Sequence, residues 1–120
     1  MPSKTSNRTR LALFDIRDNV QFAHEFVGRQ TKAQFMDNRQ AFYAVTRCLE
    51  IISEAARRLS PALRERHPEL PWKNIMGAGN IYRHDYDNVV EEFVWETVRH
   101  SLAPLLAVVE AEIARLPEND

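Results

Sequence analysis

Apolar residues recur along this chain at steps of three and four, with no alternating strand-length run, so every strong segment reads as an amphipathic helix with one face turned to a core. Leu13, Ile16, Val20, Ala23 and Val27 carry that rhythm from about Arg8 to Gly28, a residue suited to stopping a helix. Thr31 followed by Gln34 has the form of a capping box for a short turn through Phe35 and Met36. The clearest helix runs from about Asn38 to Leu59, marked by Phe42, Val45, Leu49, Ile52, Ala56 and Leu59.

Ser60 to Pro71 holds three prolines and several charges, and reads as a loop or broken turn. Pro71 suits the first turn of a third helix, whose apolar edge is Trp72, Ile75 and Met76. Gly77 and Gly79 each weaken that helix by nearly ~1 kcal/mol, so another factor must favour helix there, close approach of a second backbone being one candidate. A fourth helix is expected to start at Asp87 or Asn88, both good caps, and to continue through Val90, Phe93, Val94 and Val98. Pro104 is expected to kink or restart it, with Ser101 as a new cap, and Leu105, Val108 and Val109 lead on to about Leu116. The expected fold is all-α, a four- or five-helix bundle over residues 8–116, with short flexible ends at 1–7 and 117–120.

Composition bounds what such a bundle can be. With 120 residues and 44% apolar content, the chain can build one core but hardly two. Sixteen basic against seventeen acidic residues make no global trap for nucleic acid, so any such contact is local. Lys4, Arg8 and Arg10 form one basic cluster; Arg57, Arg58, Arg64 and Arg66 form another. Two readings stand for each: a binding patch, or the solvated face that charge runs usually make. The single Cys48 lies in an apolar helical run, where a thiol acts as a small hydrophobe. No apolar run reaches the length of a membrane span and none follows a charged start as in a signal peptide, so the expected location is cytoplasmic.

Most familiar chemistries find no support. His24, His67, His84 and His100 are scattered, with no second histidine or cysteine at helical spacing, so no metal site is expected. No phosphate-cradling glycine loop and no nucleophile elbow is present, and no cofactor is expected. His24 and His100 read as surface or boundary residues, and His67 beside Pro68 as loop. The segment Asn80-Ile81-Tyr82-Arg83-His84-Asp85-Tyr86 differs, because it gathers an amide, a guanidinium, an imidazole, carboxylate and two phenols near a predicted helix end. Asn80 and His84, four apart, share a helix face. An imidazole can pass protons to or from a ribose hydroxyl or leaving oxygen, and an arginine can grip a phosphate in a fork. The alternative is a polar helix end that only caps and packs.

Taken in order, these segments resemble the HepT-like family of HEPN-domain toxins, the small helical partners of minimal nucleotidyltransferase antitoxins. The resemblance covers most of the chain. It is carried by Leu11-Ala12-Leu13-Phe14-Asp15-Ile16, by Asp37-Asn38-Arg39-Gln40-Ala41 with Glu50-Ile51-Ile52-Ser53-Glu54-Ala55-Ala56, by Pro71-Trp72-Lys73-Asn74-Ile75-Met76, and by Leu102-Ala103-Pro104-Leu105. Asn80, His84 and Tyr86 fit the motif arginine, asparagine, three residues, histidine, any residue, tyrosine, except that Gly79 stands where its arginine belongs. The resemblance implies a homodimeric, metal-independent ribonuclease, the toxin of a type II toxin-antitoxin module, with His84 as general acid or base in a cleft between subunits. It also implies that a nucleotidyltransferase antitoxin silences the protein by adenylylating Tyr86. The missing arginine leaves phosphate binding without an owner. Arg83, four residues after Gly79, either reaches back to fill that role beside Asn80 or is a solvated cation on the helix dipole. The alternative to an active nuclease is an inactive HEPN protein that still binds a nucleotidyltransferase.

Overall fold

In the computed structural model, which describes residues 4–84 and 88–117 and side chains within 7–82 and 91–117, the described elements are helical throughout. They are α1 (Lys4–Val27), α2 (Lys32–Met36), α3 (Arg39–Arg58), α4 (Pro61–Glu65), α5 (Trp72–His84), α6 (Asn88–Glu96), a π-helical turn (Thr97–Ser101) and α7 (Leu102–Ala114). The long helices make an all-α bundle in which α1 lies along α3, α3 along α5, and α7 returns against α1.

The periodic residues form the core. Leu13, Ile16, Val20, Ala23 and Val27 are all buried on α1, as are Phe42, Val45, Leu49, Ile52 and Ala56 on α3. Gly28 ends α1 with φ +56°, the left-handed geometry that favours glycine. Thr31 and Gln34 close a complete capping box on α2. Asn38 caps α3 by accepting the Ala41 N–H at 3.0 Å. Cys48 is buried, and desolvation raises its thiol pKa, in keeping with a packing role.

Several boundaries differ from the pattern. Helix α1 begins at Lys4, inside the segment expected to be frayed, because no glycine or proline interrupts Lys4–Val27 and a helix can outrun its apolar stripe. The proline-rich stretch contains α4, capped by Ser60 with Pro61 in its first turn. Pro71 precedes α5 instead of opening it, and its carbonyl accepts the Ile75 N–H at 3.0 Å. Pro104 does not call on Ser101 as a side-chain cap. Instead the helix widens into the π turn just before α7, relieving the clash between the proline ring and the carbonyl four residues back.

Candidate functional site

The chemistry-bearing segment sits at the C-terminal end of α5. At 3.6 residues per turn, positions 73, 77, 80 and 84 of this helix fall within about 60° of one another. Lys73 and Asn80 are exposed on that face, while Trp72 and Tyr82 are buried on the other. Arg83 and His84 close the helix, but their side chains lie outside the described residues, and Tyr86 lies wholly outside them. Of the site residues expected from sequence, only Asn80 is therefore placed to its side chain, and it is available to a ligand.

Behind this face, α3 sets the position of α5. The Ser53 hydroxyl donates to the Met76 carbonyl at 3.0 Å and accepts the Gly79 N–H at 3.1 Å. One turn along α3, Arg57 Nε donates to the same Met76 carbonyl at 2.9 Å. Gly79 is buried, and its backbone N–H makes this contact between α5 and α3. Gly77 is different: a methyl placed there would meet no atom within 4 Å. The partner at Gly79 is the Ser53 side-chain hydroxyl, not the second backbone that the two glycines suggest from sequence.

Tyr82 anchors the other side. It is 5% exposed, its hydroxyl bonds Thr97 in the π turn, and its ring lies 5.9 Å from that of Phe93. Burial pushes the phenol up to about 12. A small apolar hollow between Ile52, Ala78, Tyr82 and Leu105 opens on this inner side of α5, away from Asn80.

The basic cluster around the middle loop is largely spent on structure. Arg58 pairs with Asp15 at 2.9 Å, Arg64 bonds the Ala56 and Leu59 carbonyls, and Arg66 meets Glu112 at 2.7 Å. This supports the solvated, structural reading for those three. His67 is more than loop. Its Nε2 lies 2.6 Å from Oε2 of the buried Glu112, and its carbonyl accepts the Trp72 indole N–H at 2.9 Å. His24 and His100 are exposed, as expected, with His100 3.1 Å from Glu96. Among the described residues no group of three or more histidine, cysteine or carboxylate side chains could hold a metal, and no helix is long and apolar enough to cross a membrane.

Ser53 and Arg57 were missed from sequence because they act on α5 from 26 and 19 residues away. Helical periodicity marks both as ordinary members of α3 and carries no sign of this partnership.

Comparison with known proteins gives this geometry a family. The model described as Ribonuclease HepT-like matches residues 16–112, from within α1 to within α7. A protein of Methanocaldococcus jannaschii provisionally named RNase MJ1380 is 34% identical over 98 residues, 82% of this chain and 90% of its own. Another from that organism, provisionally named RNase MJ0125, is 31% identical over 107 residues, 89% of this chain and 92% of its own. The "Probable ribonuclease HepT" of Thermococcus cleftensis is 29% identical over 93 residues, covering 78% of this chain and 84% of that protein. No solved structure matches significantly. With the family model spanning most of the bundle and relatives aligned over nearly their full lengths, the chain belongs to the Ribonuclease HepT-like family.

Proposed function

We propose that this protein is a metal-independent endoribonuclease that works as a homodimer, the toxin of a type II toxin-antitoxin module. The observation that carries the reading is family membership over residues 16–112, combined with an exposed Asn80 on the α5 face that leads to position 84. In the proposed reaction a ribose 2′-hydroxyl gives up its proton and attacks the adjacent phosphorus, the P–O5′ bond breaks, and the departing oxygen takes a proton. His84 moves a proton in one or both steps, which is chemistry that an imidazole performs near neutral pH. Asn80 positions the substrate from one turn away, and Arg83, next to His84 in sequence, is proposed as a phosphate contact. In the dimer, equivalent residues from two subunits face a shared cleft.

Control comes from a nucleotidyltransferase antitoxin that transfers an adenylyl group from ATP to the Tyr86 hydroxyl, which gives up its proton as pyrophosphate leaves. The added bulk and negative charge, two residues from His84, repel an incoming RNA backbone. Tyr82 is the neighbouring rival for modification, and its 5% exposure argues against it. Peptide mass spectrometry after incubation with the antitoxin and ATP should find the added mass on Tyr86.

A second reading is favoured by one observation, the buried glycine at position 79 in place of the motif arginine: a HEPN protein that binds the nucleotidyltransferase without cutting RNA. Induction of the chain alone separates the two. Growth arrest with loss of bulk RNA, both abolished by His84→Ala at unchanged folding, is the result expected of the nuclease; intact RNA with the wild type would establish the second reading. Loss of a general acid or base should slow cleavage by about 10²–10⁴.

A further inference from the structure

We propose that Arg57 and Lys73 hold the RNA backbone phosphates at this site, supplying the grip that an arginine at position 79 would otherwise give; the inference rests on the ribonuclease reading above. Of the four arginines in the middle cluster, Arg58, Arg64 and Arg66 are committed to a carboxylate or to carbonyls at the α3–α4 junction. Arg57 is exposed, has no carboxylate partner among the described residues, and is turned onto α5 by its Nε bond to the Met76 carbonyl. That bond uses the inner nitrogen and leaves both Nη groups for a forked contact with phosphate oxygens.

The tether also sets the place. In an α-helix the carbonyl of residue 76 points toward residue 80, so the guanidinium lies beside the turn that presents Asn80. Lys73 stands on the Asn80 face, two turns earlier, exposed and with no hydrogen bond or ion pair among the described residues. Between them Gly77 puts no side chain in the way, and a methyl there would touch nothing. Two cations without a carboxylate partner among the described residues, one on the open α5 face and one tethered beside it from α3, give a local track for a polyanion in a chain whose net charge of −1 would not attract it.

The experiment measures binding of short single-stranded RNA oligonucleotides to the full chain carrying His84→Ala, so that cleavage does not intervene, over a series of salt concentrations. Arg57→Gln and Lys73→Gln should each flatten the dependence of log affinity on log salt by about 0.7, the value for one phosphate contact on a single strand. Arg57→Gln should lower affinity roughly tenfold, to the same degree for oligonucleotides of different sequence. Arg57→Lys should keep the salt slope and recover only part of the affinity, because it retains charge without the fork. Arg47→Gln, an exposed arginine about 15 Å back along α3, should change neither quantity. Lys73→Gln removes no hydrogen bond or ion pair among the described residues and keeps the test decisive if Arg57→Gln loosens α5. Slopes unchanged in both variants overturn the proposal. So does an Arg57→Gln effect confined to dimer mass, which would assign the cation to a partner's acidic surface. RNA bound and cut with both cations indifferent refutes this inference alone, whereas a parent chain that neither binds nor cuts RNA refutes the ribonuclease reading and this inference with it.

Discussion

The Gly79 N–H donates to Ser53 Oγ at 3.1 Å, which splices a hydroxyl from α3 into the backbone of α5 one turn before the end of that helix. The same hydroxyl donates to the Met76 carbonyl, so two backbone groups of α5 depend on one side chain of α3. The position that the family motif gives to arginine is here committed to helix packing.

An arginine restored at 79 should therefore be costly before it is useful. Its side chain would have to grow out of the buried contact with Ser53, and overpacking of this kind costs about 1–3 kcal/mol. Ser53→Gly would remove the obstructing hydroxymethyl group. The double variant should accordingly be more stable than the sum of the two single changes predicts, by at least about 0.5 kcal/mol. Denaturant unfolding of the four proteins measures this, and additive losses would mean that position 79 has room of its own.

Gly77 should behave in the opposite way. It sits within α5 with open space around it, so Gly77→Ala removes the helix penalty of glycine without a clash and should stabilise the fold by about 0.5–1 kcal/mol. Light scattering on the same pair of proteins reports the dimer. A dimer that packs over this glycine should weaken while the fold strengthens, and a monomeric wild type at micromolar concentration would sink the composite site.

How much of this was legible in the sequence depended on the range of the interaction. The helix rhythm of α1 and α3, the Thr31–Gln34 box, the Asn38 cap and the Gly28 stop follow from neighbours within a turn, and they hold in the structure. The π turn was only half legible: Pro104 announces a disturbance, but the pattern does not say whether the chain kinks, caps or widens, and the chain widens over Thr97–Ser101. The bonds of Ser53, Arg57 and His67 were invisible because they join residues 19 to 45 positions apart. Of the expected site, Asn80 is seen on an open face, while the side chains of Arg83, His84 and Tyr86 lie outside the described residues.

Glu112 should dominate the acid side of the stability profile. Its carboxyl is held below the ordinary value of 4.5 chiefly by the hydrogen bond from Arg66, against the opposing effect of burial and with further help from His67. A depressed carboxyl contributes stability that is complete above the unfolded-state value and is lost as pH falls through the folded one. Glu112→Gln should thus cost about 1–3 kcal/mol at neutral pH and flatten the loss of stability below pH 4.5. Thermal unfolding across an acid series tests it, and parallel curves for mutant and wild type would place the acid sensitivity elsewhere.

Tyr82 sets the alkaline limit by the reverse logic. Burial raises its phenol from the ordinary 10 to about 12, while the hydrogen bond to Thr97 works in the other direction and is the weaker effect. Because the folded chain holds this proton more tightly than the unfolded chain, its contribution is intact below pH 10 and is lost as pH rises from 10 to about 12. A shift of that size corresponds to roughly 2–3 kcal/mol over the interval. Tyr82→Phe should remove this alkaline component and leave at neutral pH only the loss of one hydrogen bond, about 1 kcal/mol. The stability curves of the two proteins should then converge or cross above pH 10, the mutant being the less sensitive. Adenylylation offers an independent check, since a hydroxyl committed to Thr97 inside the bundle is closed to a nucleotidyltransferase and Tyr82→Phe should accept as much label as the wild type. Loss of label in that variant would place the modification on Tyr82, and would require α5 to come away from the π turn for the antitoxin to act.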